Sequence, residues 1–402
     1  MFAPTARRLY SKMSYPAVSA PYSRAVVNAM RKLYPEALAD KSFDNTGLML
    51  EAPFDPLRRQ MNSVLLTVDL TKAVADEAIE RQDSIVIAYH PIIFRGLKSL
   101  TLQDTQQQSL LRLAAEGISV YSPHTAVDCA RGGLGDWLAD IVTGTPTDPS
   151  ELDDGNVSAQ HSPEKGQTPA ETSNDSSEKS SLLAPKRPVY MLRHHPSQLD
   201  TNDRALKLNS GGHKRYPITK PGVEGYPGAG MGRIIRFAEP VPLTEIIDRI
   251  GLGLGNPKGF PIAVPQGKQA SDMQISSIAL CAGSGGGLFS QAEKNGEEAD
   301  LYFTGELSHH EALAAIEKGK CVITLFHSNT ERGFLHGVLK QQLERQITEE
   351  WEKLRAEETA KDWGSEDLKE AFKEALEDGQ VEVFVSEVDR DPYGIMISKD
   401  EI

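Results

Sequence analysis

Imidazoles and carboxylates recur where apolar runs of this chain stop. A β-branched run, residues 321–326, ends on His327, and Glu331 follows four residues later. If a strand ends near His327 and a helix begins just after it, both side chains project from one edge of a sheet. They would be borderline-hard ligands suited to Zn, Fe, Mn or Ni. Glu306, His309 and His310 form a second cluster one helix upstream. Tyr89-His90-Pro91 follows the run 85–88, and Pro91 keeps the His90 backbone out of helical geometry. His124 and Asp128, four residues apart, follow the run 118–121. Three strand ends, each bringing a histidine with carboxylates nearby, make a candidate metal cage at the carboxyl edge of a sheet.

Each motif has a structural rival. Ser328-Asn329-Thr330-Glu331 fits the S-x-x-E capping box, in which Glu331 would bond back to the Ser328 backbone. Ser308-His309-His310-Glu311 fits it equally well. Asp128 is a candidate cap for the turn at residues 132–137. Spacing alone therefore leaves Glu331 between ligand and cap. The glycines at 283–287 would suit either an anion cradle or a tight turn, and those at 228–232 are no more specific. There is no GxSxG motif. The three cysteines, Cys129, Cys281 and Cys321, form no CxxC pair and read as buried free thiols. Metal-activated water is the chemistry these residues favour. His124, His309, His310 and Glu306 are the candidates for proton handling.

Alternating strand and helix signals must position these groups. Strands are expected at 64–68, 85–88, 118–121, 188–192, 233–237, 275–282, 301–304, 321–326 and 381–385. Helices are expected at 22–33, 71–82, 104–116, 133–142, 243–250, 311–318, from 331 towards Trp363, and at 366–377. Continuous apolar strands alternating with helices indicate an α/β protein with mostly parallel sheets. The expected organisation is a leader at 1–20, an N-terminal lobe at 21–143, a disordered low-complexity insert at 144–187 and a C-terminal lobe at 188–402. The insert is dominated by Ser, Thr, Pro, Asp, Glu and Gly, and His161 inside it is not expected to be a ligand.

The 402 residues carry 43 Lys and Arg against 57 Asp and Glu, a net charge of −14 with pI near 5.3. That balance argues against electrostatic capture of nucleic acid, which needs a basic face. No apolar run reaches the roughly 18 residues of a membrane helix. Unpaired thiols fit a reducing compartment such as the cytoplasm. The first 35 residues hold no acidic residue but include Arg7, Arg8, Lys12, Arg24, Arg31 and Lys32. This is the composition of a mitochondrial transit peptide or of a short leader with Met13 as an alternative start.

Taken together, YHPIIFRGLKSL (89–100), SPHTAVDCARGGLGDWLA (122–139) and TGELSHH…FHSNTERGFL (304–335) resemble the Nif-three-like family, the NGG-one-interacting-factor-three proteins. Its bacterial members are often labelled GTP cyclohydrolase I type 2 homologues. FDNTGLML (43–50), GMGRIIRF (230–237) and SEVDRDPYGIM (386–396) are similar too. The resemblance implies two related α/β lobes with a dinuclear metal centre between them, assembled as a dimer or a ring-shaped hexamer. It implies His90, Asp128, His327 and Glu331 as ligands of one or two divalent ions, with His124 in or behind them. It also implies two functions to separate: a metal-dependent hydrolase of a small, nucleotide-like substrate, and a metal-binding partner of a transcription cofactor with a nuclear pool. Where many members carry His-His-Pro this chain has Tyr89-His90-Pro91, which removes an imidazole from one metal position and weakens any inferred cyclohydrolase activity.

Overall fold

The structure, a computed structural model, describes residues 18–55, 60–144, 156–157, 212–254, 257, 259–361 and 366–396. Almost all of the expected leader and insert, with His161, the strand at 188–192 and Trp363, lies outside the described residues. The chain forms two compact units, one from Met1–Val127 and Val338–Asp389, the other from Asp128–Gly337 and Arg390–Ile402.

In the first unit a five-stranded sheet has the order β1-β4-β3-β2-β12. Its strands are β1 (Gly47–Leu50), β2 (Met61–Thr67), β3 (Asp83–Ala88), β4 (Ser119–Ser122) and β12 (Glu382–Val385). Only the edge strand β1 is antiparallel to its neighbour. Val64, Leu65 and Leu66 of β2 and Ile85, Val86 and Ile87 of β3 are all buried. Such unbroken apolar runs arise because helices cover both faces, so neither register of side chains meets water. Each of these aliphatic side chains contributes about 1.5–3 kcal/mol by its burial.

On one face, Leu65, Val86 and Val120 pack against Val74 and Ala78 of α2 (Lys72–Arg81) and Leu113 of α3 (Thr105–Ala115). Thr71 caps α2 by accepting from Val74 N, and Asp104 caps α3 by accepting from Gln107 N. On the other face, α1 (Pro21–Leu33) packs with α10 (Lys340–Ala360) through an edge-to-face contact of Tyr22 and Trp351, 5.4 Å between centroids. Ser23 Oγ of α1 donates to the Ser84 carbonyl of β3 at 3.2 Å.

The second unit holds a seven-stranded sheet of order β5-β6-β7-β9-β10-β11-β8. These strands are β5 (Asn156–Val157), β6 (His213–Tyr216), β7 (Arg233–Pro242), β8 (Ile262–Ala263), β9 (Gln274–Ser284), β10 (Leu301–Glu306) and β11 (Cys321–Thr324). Parallel pairing is confined to β9-β10-β11, and the remaining pairs are antiparallel. Helix α5 (Leu134–Thr143) is buried along its whole length, including Asp136 and Asp140. These carboxylates meet Arg233 of β7 at 2.5 Å and Arg215 of β6 at 2.8 Å. Burial alone would raise Asp136, but the Arg233 guanidinium holds it below the usual carboxylate range.

The units therefore do not follow the linear division into residues 21–143 and 188–402. The C-terminal chain returns to place β12 parallel beside β2, and α5 is tied by ion pairs to β6 and β7 of the second unit. The expected elements otherwise appear within a few residues. Strand β1 was not expected, because FDNTGLML begins with turn residues and its apolar part is only four residues long. All three cysteines are buried and none forms a disulfide.

Candidate metal centre

Each unit gathers its share of the singled-out residues at the carboxyl ends of its parallel strands. In the first unit, Thr67 of β2 aligns with Ala88 of β3, and Ile87 of β3 with Tyr121 of β4. Tyr89 N donates to Thr67 O at 2.9 Å and His90 N to Val68 O at 3.0 Å, extending the ladder past the sheet. His90 is thus delivered beside Asp69, whose Oδ1 lies 2.8 Å from His90 Nδ1. After β4, His124 has φ +36°, a left-handed conformation that only a few non-glycine residues adopt. Its Nδ1 lies 2.6 Å from Asp44 Oδ1. Asp44 also accepts from the Thr125 hydroxyl and, at 3.2 Å, from Thr125 N. Burial pushes Asp44 up, but the hydrogen bonds from His124 and Thr125 outweigh it and leave the carboxyl below its ordinary range. Tyr89 is buried, with its ring 5.1 Å from His90 and 5.5 Å from His124, and the two imidazoles are 5.6 Å apart.

In the second unit, Thr304 of β10 aligns with Cys281 of β9 and Thr324 of β11, so Gly283, Glu306 and His327 leave one sheet edge together. A Cβ on Gly305 would stand 2.5 Å from His327 O and 2.7 Å from Gly283 O, so only glycine allows this approach. Phe326, at φ +64°, turns the chain between β11 and α9 (Asn329–Phe334) and its ring stacks on Tyr393. His327 Nδ1 lies 2.9 Å from Glu306 Oε1. His327 and Glu331 bring ligand atoms within 4.8 Å of one another. Both converge on Gly283, where a Cβ would stand 3.3 Å from Glu331 Oε1 and 3.4 Å from His327 Nε2. Thr330 Oγ1 accepts from Gly283 N at 3.0 Å and donates to Glu331 Oε2 at 2.7 Å.

Glu331 is 1% exposed. Burial raises its carboxyl well above the ordinary value, and the charge of Asp128 raises it further against the lowering by the Thr330 hydroxyl. The Cys281 thiol is also pushed up, by burial first and then by Asp128 and Glu331. A buried carboxylate beside a second one is a site of excess negative charge, the arrangement a divalent cation relieves.

The geometry decides between the rival readings of the two S-x-x-E segments. At Ser308 the box forms in both directions and opens α8 (His309–Glu317). At Ser328 no side-chain cap forms. Its hydroxyl donates instead to Asp391 Oδ2 at 2.7 Å, and the Glu331 carboxylate is turned to Thr330 and Gly283. In the turn at 132–137, Gly132 N donates to Asp136 at 2.8 Å. The glycine run at 283–287 is not an open anion cradle. Gly286 begins α7 (Gly286–Lys294) with the Glu311 carboxylate against it, where a Cβ would stand 1.9 Å from Oε1.

Of the predicted residues, the first unit thus assembles Tyr89, His90 and His124, and the second assembles Asp128, Glu306, His327 and Glu331. His309 and His310 are exposed on the opening turn of α8, their rings 5.3 Å apart. Sequence reasoning missed Asp44 and Asp69. Each of the three histidines offers Nδ1 to a carboxylate, which leaves the lone pair of a neutral ring on Nε2. Metal-binding histidines almost always have such a partner. Within each unit these residues offer imidazole and carboxylate donors of the kind that hold a divalent ion.

Among the described residues no helix is long and apolar enough to cross a membrane. The protein NIF3 homolog of Schizosaccharomyces pombe is 39% identical over 322 residues, spanning 80% of this chain and 88% of that one. NGG1-interacting factor 3 of Saccharomyces cerevisiae is 34% identical, spanning 78% of this chain and 88% of its own. The fold is that of a Bacillus cereus protein related to NIF3, with TM-score 0.55 and 19% identity, covering 95% of this chain and all (100%) of that one. The profile of the Duf34/NIF3 (NGG1p interacting factor 3) family matches residues 22–362, and this chain belongs to that family.

Proposed function

We propose that this protein binds divalent metal through His90, Asp128, His327 and Glu331. The observation that carries the reading is the buried Glu331 carboxylate, held beside Asp128 and His327 and not spent on a helix cap. The Asp69–His90 and Glu306–His327 pairs support it, because each presents Nε2 as the donor. Zn, Fe, Mn and Ni all suit this set, as one ion or two.

The activity we favour is metal-dependent hydrolysis of a small, nucleotide-like substrate. When bound, a divalent ion supplies Lewis acidity and a water acidic enough to react near neutrality. Nε2 of His124 takes and returns the proton, with its tautomer fixed by Asp44. Glu306 orients His327, and His309 and His310 stand at the solvent side as further proton carriers. A second reading is a metal-binding interaction protein without turnover. It draws on Tyr89, a neutral phenol where many relatives place an imidazole, and on the yeast relative named as an interacting factor. In either reading we expect a homo-oligomer, a dimer or a hexameric ring, that does not contact nucleic acid directly.

The test combines metal analysis with a turnover screen of nucleotides and phosphoesters on wild type and Glu331→Ala. Hydrolysis lost together with metal supports the hydrolase. Metal lost with no change in turnover overturns metal-dependent hydrolysis, and a wild type inactive on every substrate supports the interaction protein. Full metal retention in a His327→Ala, Glu331→Ala double variant overturns the ligand assignment for both.

A further inference from the structure

His124 lies beneath an exposed aromatic wall. Phe43 is 53% and Phe94 46% exposed, although side chains of this size are ordinarily buried. Their centroids are 6.4 Å apart with planes at 46°. Each ring stands nearly perpendicular to the His124 imidazole, Phe43 at 6.5 Å and 87°, Phe94 at 6.4 Å and 82°. Tyr89 meets the same imidazole from the buried side at 5.5 Å. The two phenyl rings therefore open to solvent while their inner edges frame one polar group, whose Nδ1 is committed to Asp44.

The partners of an aromatic face are offset-stacked or edge-on rings. A flat ring laid on Phe43 or Phe94 would carry its own polar edge toward His124. A saturated sugar or an aliphatic chain would gain burial there but not the stacking. The buried carboxylate behind His124, held ionised by its hydrogen bonds, disfavours an anionic ring.

We propose that Phe43 and Phe94 form a stacking wall for a planar, neutral nitrogen heterocycle of the nucleobase type, whose polar edge hydrogen-bonds to Nε2 of His124. This deepens the nucleotide-like substrate class proposed above and rests on that reading for the chemistry beyond the ring. Neither phenylalanine is a metal donor, so ring binding and metal binding can be measured separately in one preparation.

The probes are adenosine and guanosine, with ribose as the non-aromatic control, titrated calorimetrically into wild type, a Phe43→Ala, Phe94→Ala double variant and a Phe43→Tyr, Phe94→Tyr double variant. Metal content and particle mass are recorded for each. The expected result is nucleoside binding without ribose binding, weakened about tenfold or more in the alanine variant and kept in the tyrosine variant, with metal content unchanged. Nucleosides that fail to bind wild type, ribose that binds as well as they do, or an alanine variant that binds undiminished would overturn the proposal. So would an alanine variant whose particle mass falls, because the wall would then be covering a second copy through the same loop as Leu97, Leu100 and Leu102, all exposed. A wild type that binds nucleosides but takes up no metal on reloading would sink the metal reading and leave the wall standing.

Discussion

At the scale of single residues, three histidines each share Nδ1 with a carboxylate: His90 with Asp69, His124 with Asp44 and His327 with Glu306. Fixing the tautomer costs rotational freedom in advance, so a donor held this way binds more tightly than a loose one. Asp69→Asn keeps size and one hydrogen bond but no longer favours the Nδ1–H form of His90. We predict metal affinity about 10- to 100-fold weaker, with a thermal midpoint close to wild type, measured by competition against a chromophoric chelator. An unchanged affinity would show that Asp69 only packs. The histidines were legible in the sequence because each follows an apolar run directly. Asp44 and Asp69 were not, since their partners lie 80 and 21 residues away and local spacing carries no trace of the pairing.

At the scale of elements, the parallel strands do the positioning. Their carboxyl ends align within each sheet, which is why side chains from β3 and β4 meet in the first unit and those following β9, β10 and β11 meet in the second. Residues just beyond those ends carry the strain, His124 at φ +36° and Phe326 at φ +64°. Gly283 has the same left-handed backbone, φ +58°, and no side chain between Glu331 and His327. Gly283→Ala is therefore predicted to cost about 1–2 kcal/mol of stability and to lower metal loading by crowding both groups. Chemical denaturation and metal analysis check the two effects, and a variant loaded like wild type would contradict the second. Helix and strand positions were readable from periodicity. The fate of the two S-x-x-E segments was not, because what separates them is Asp391, a tertiary partner that draws Ser328 away from the helix end.

At the scale of the whole molecule, the return of the chain after residue 337 was illegible. A short apolar strand such as β12 can pair with any edge, and nothing local names β2 as its partner. Also hidden were the buried ion pairs between α5 and the second sheet, whose partners lie 97 and 75 residues apart in sequence. Removing one partner of such a pair leaves the other buried and uncompensated, so Asp136→Asn is predicted to cost about 3–5 kcal/mol at pH 7. Asp136 is depressed in the folded state, so its stabilisation is full above its unfolded value, about 3.9, and is lost as pH falls through the lower folded value. Urea unfolding of wild type and variant should thus differ most near neutrality and converge in acid. A gap that widens in acid would reverse the assignment.

If Glu331 and its neighbours hold a divalent ion, metal stoichiometry reports it without any assay of turnover. Wild type, Asp128→Asn and Glu331→Gln would each be stripped with chelator, reloaded with Zn²⁺ or Mn²⁺, desalted and analysed by mass spectrometry. At least one ion per wild-type chain is expected, with most of it lost in both variants and the folded structure intact by circular dichroism. A wild type that takes up no ion, or variants that load as fully as wild type, would rule out Asp128 and Glu331 as ligands.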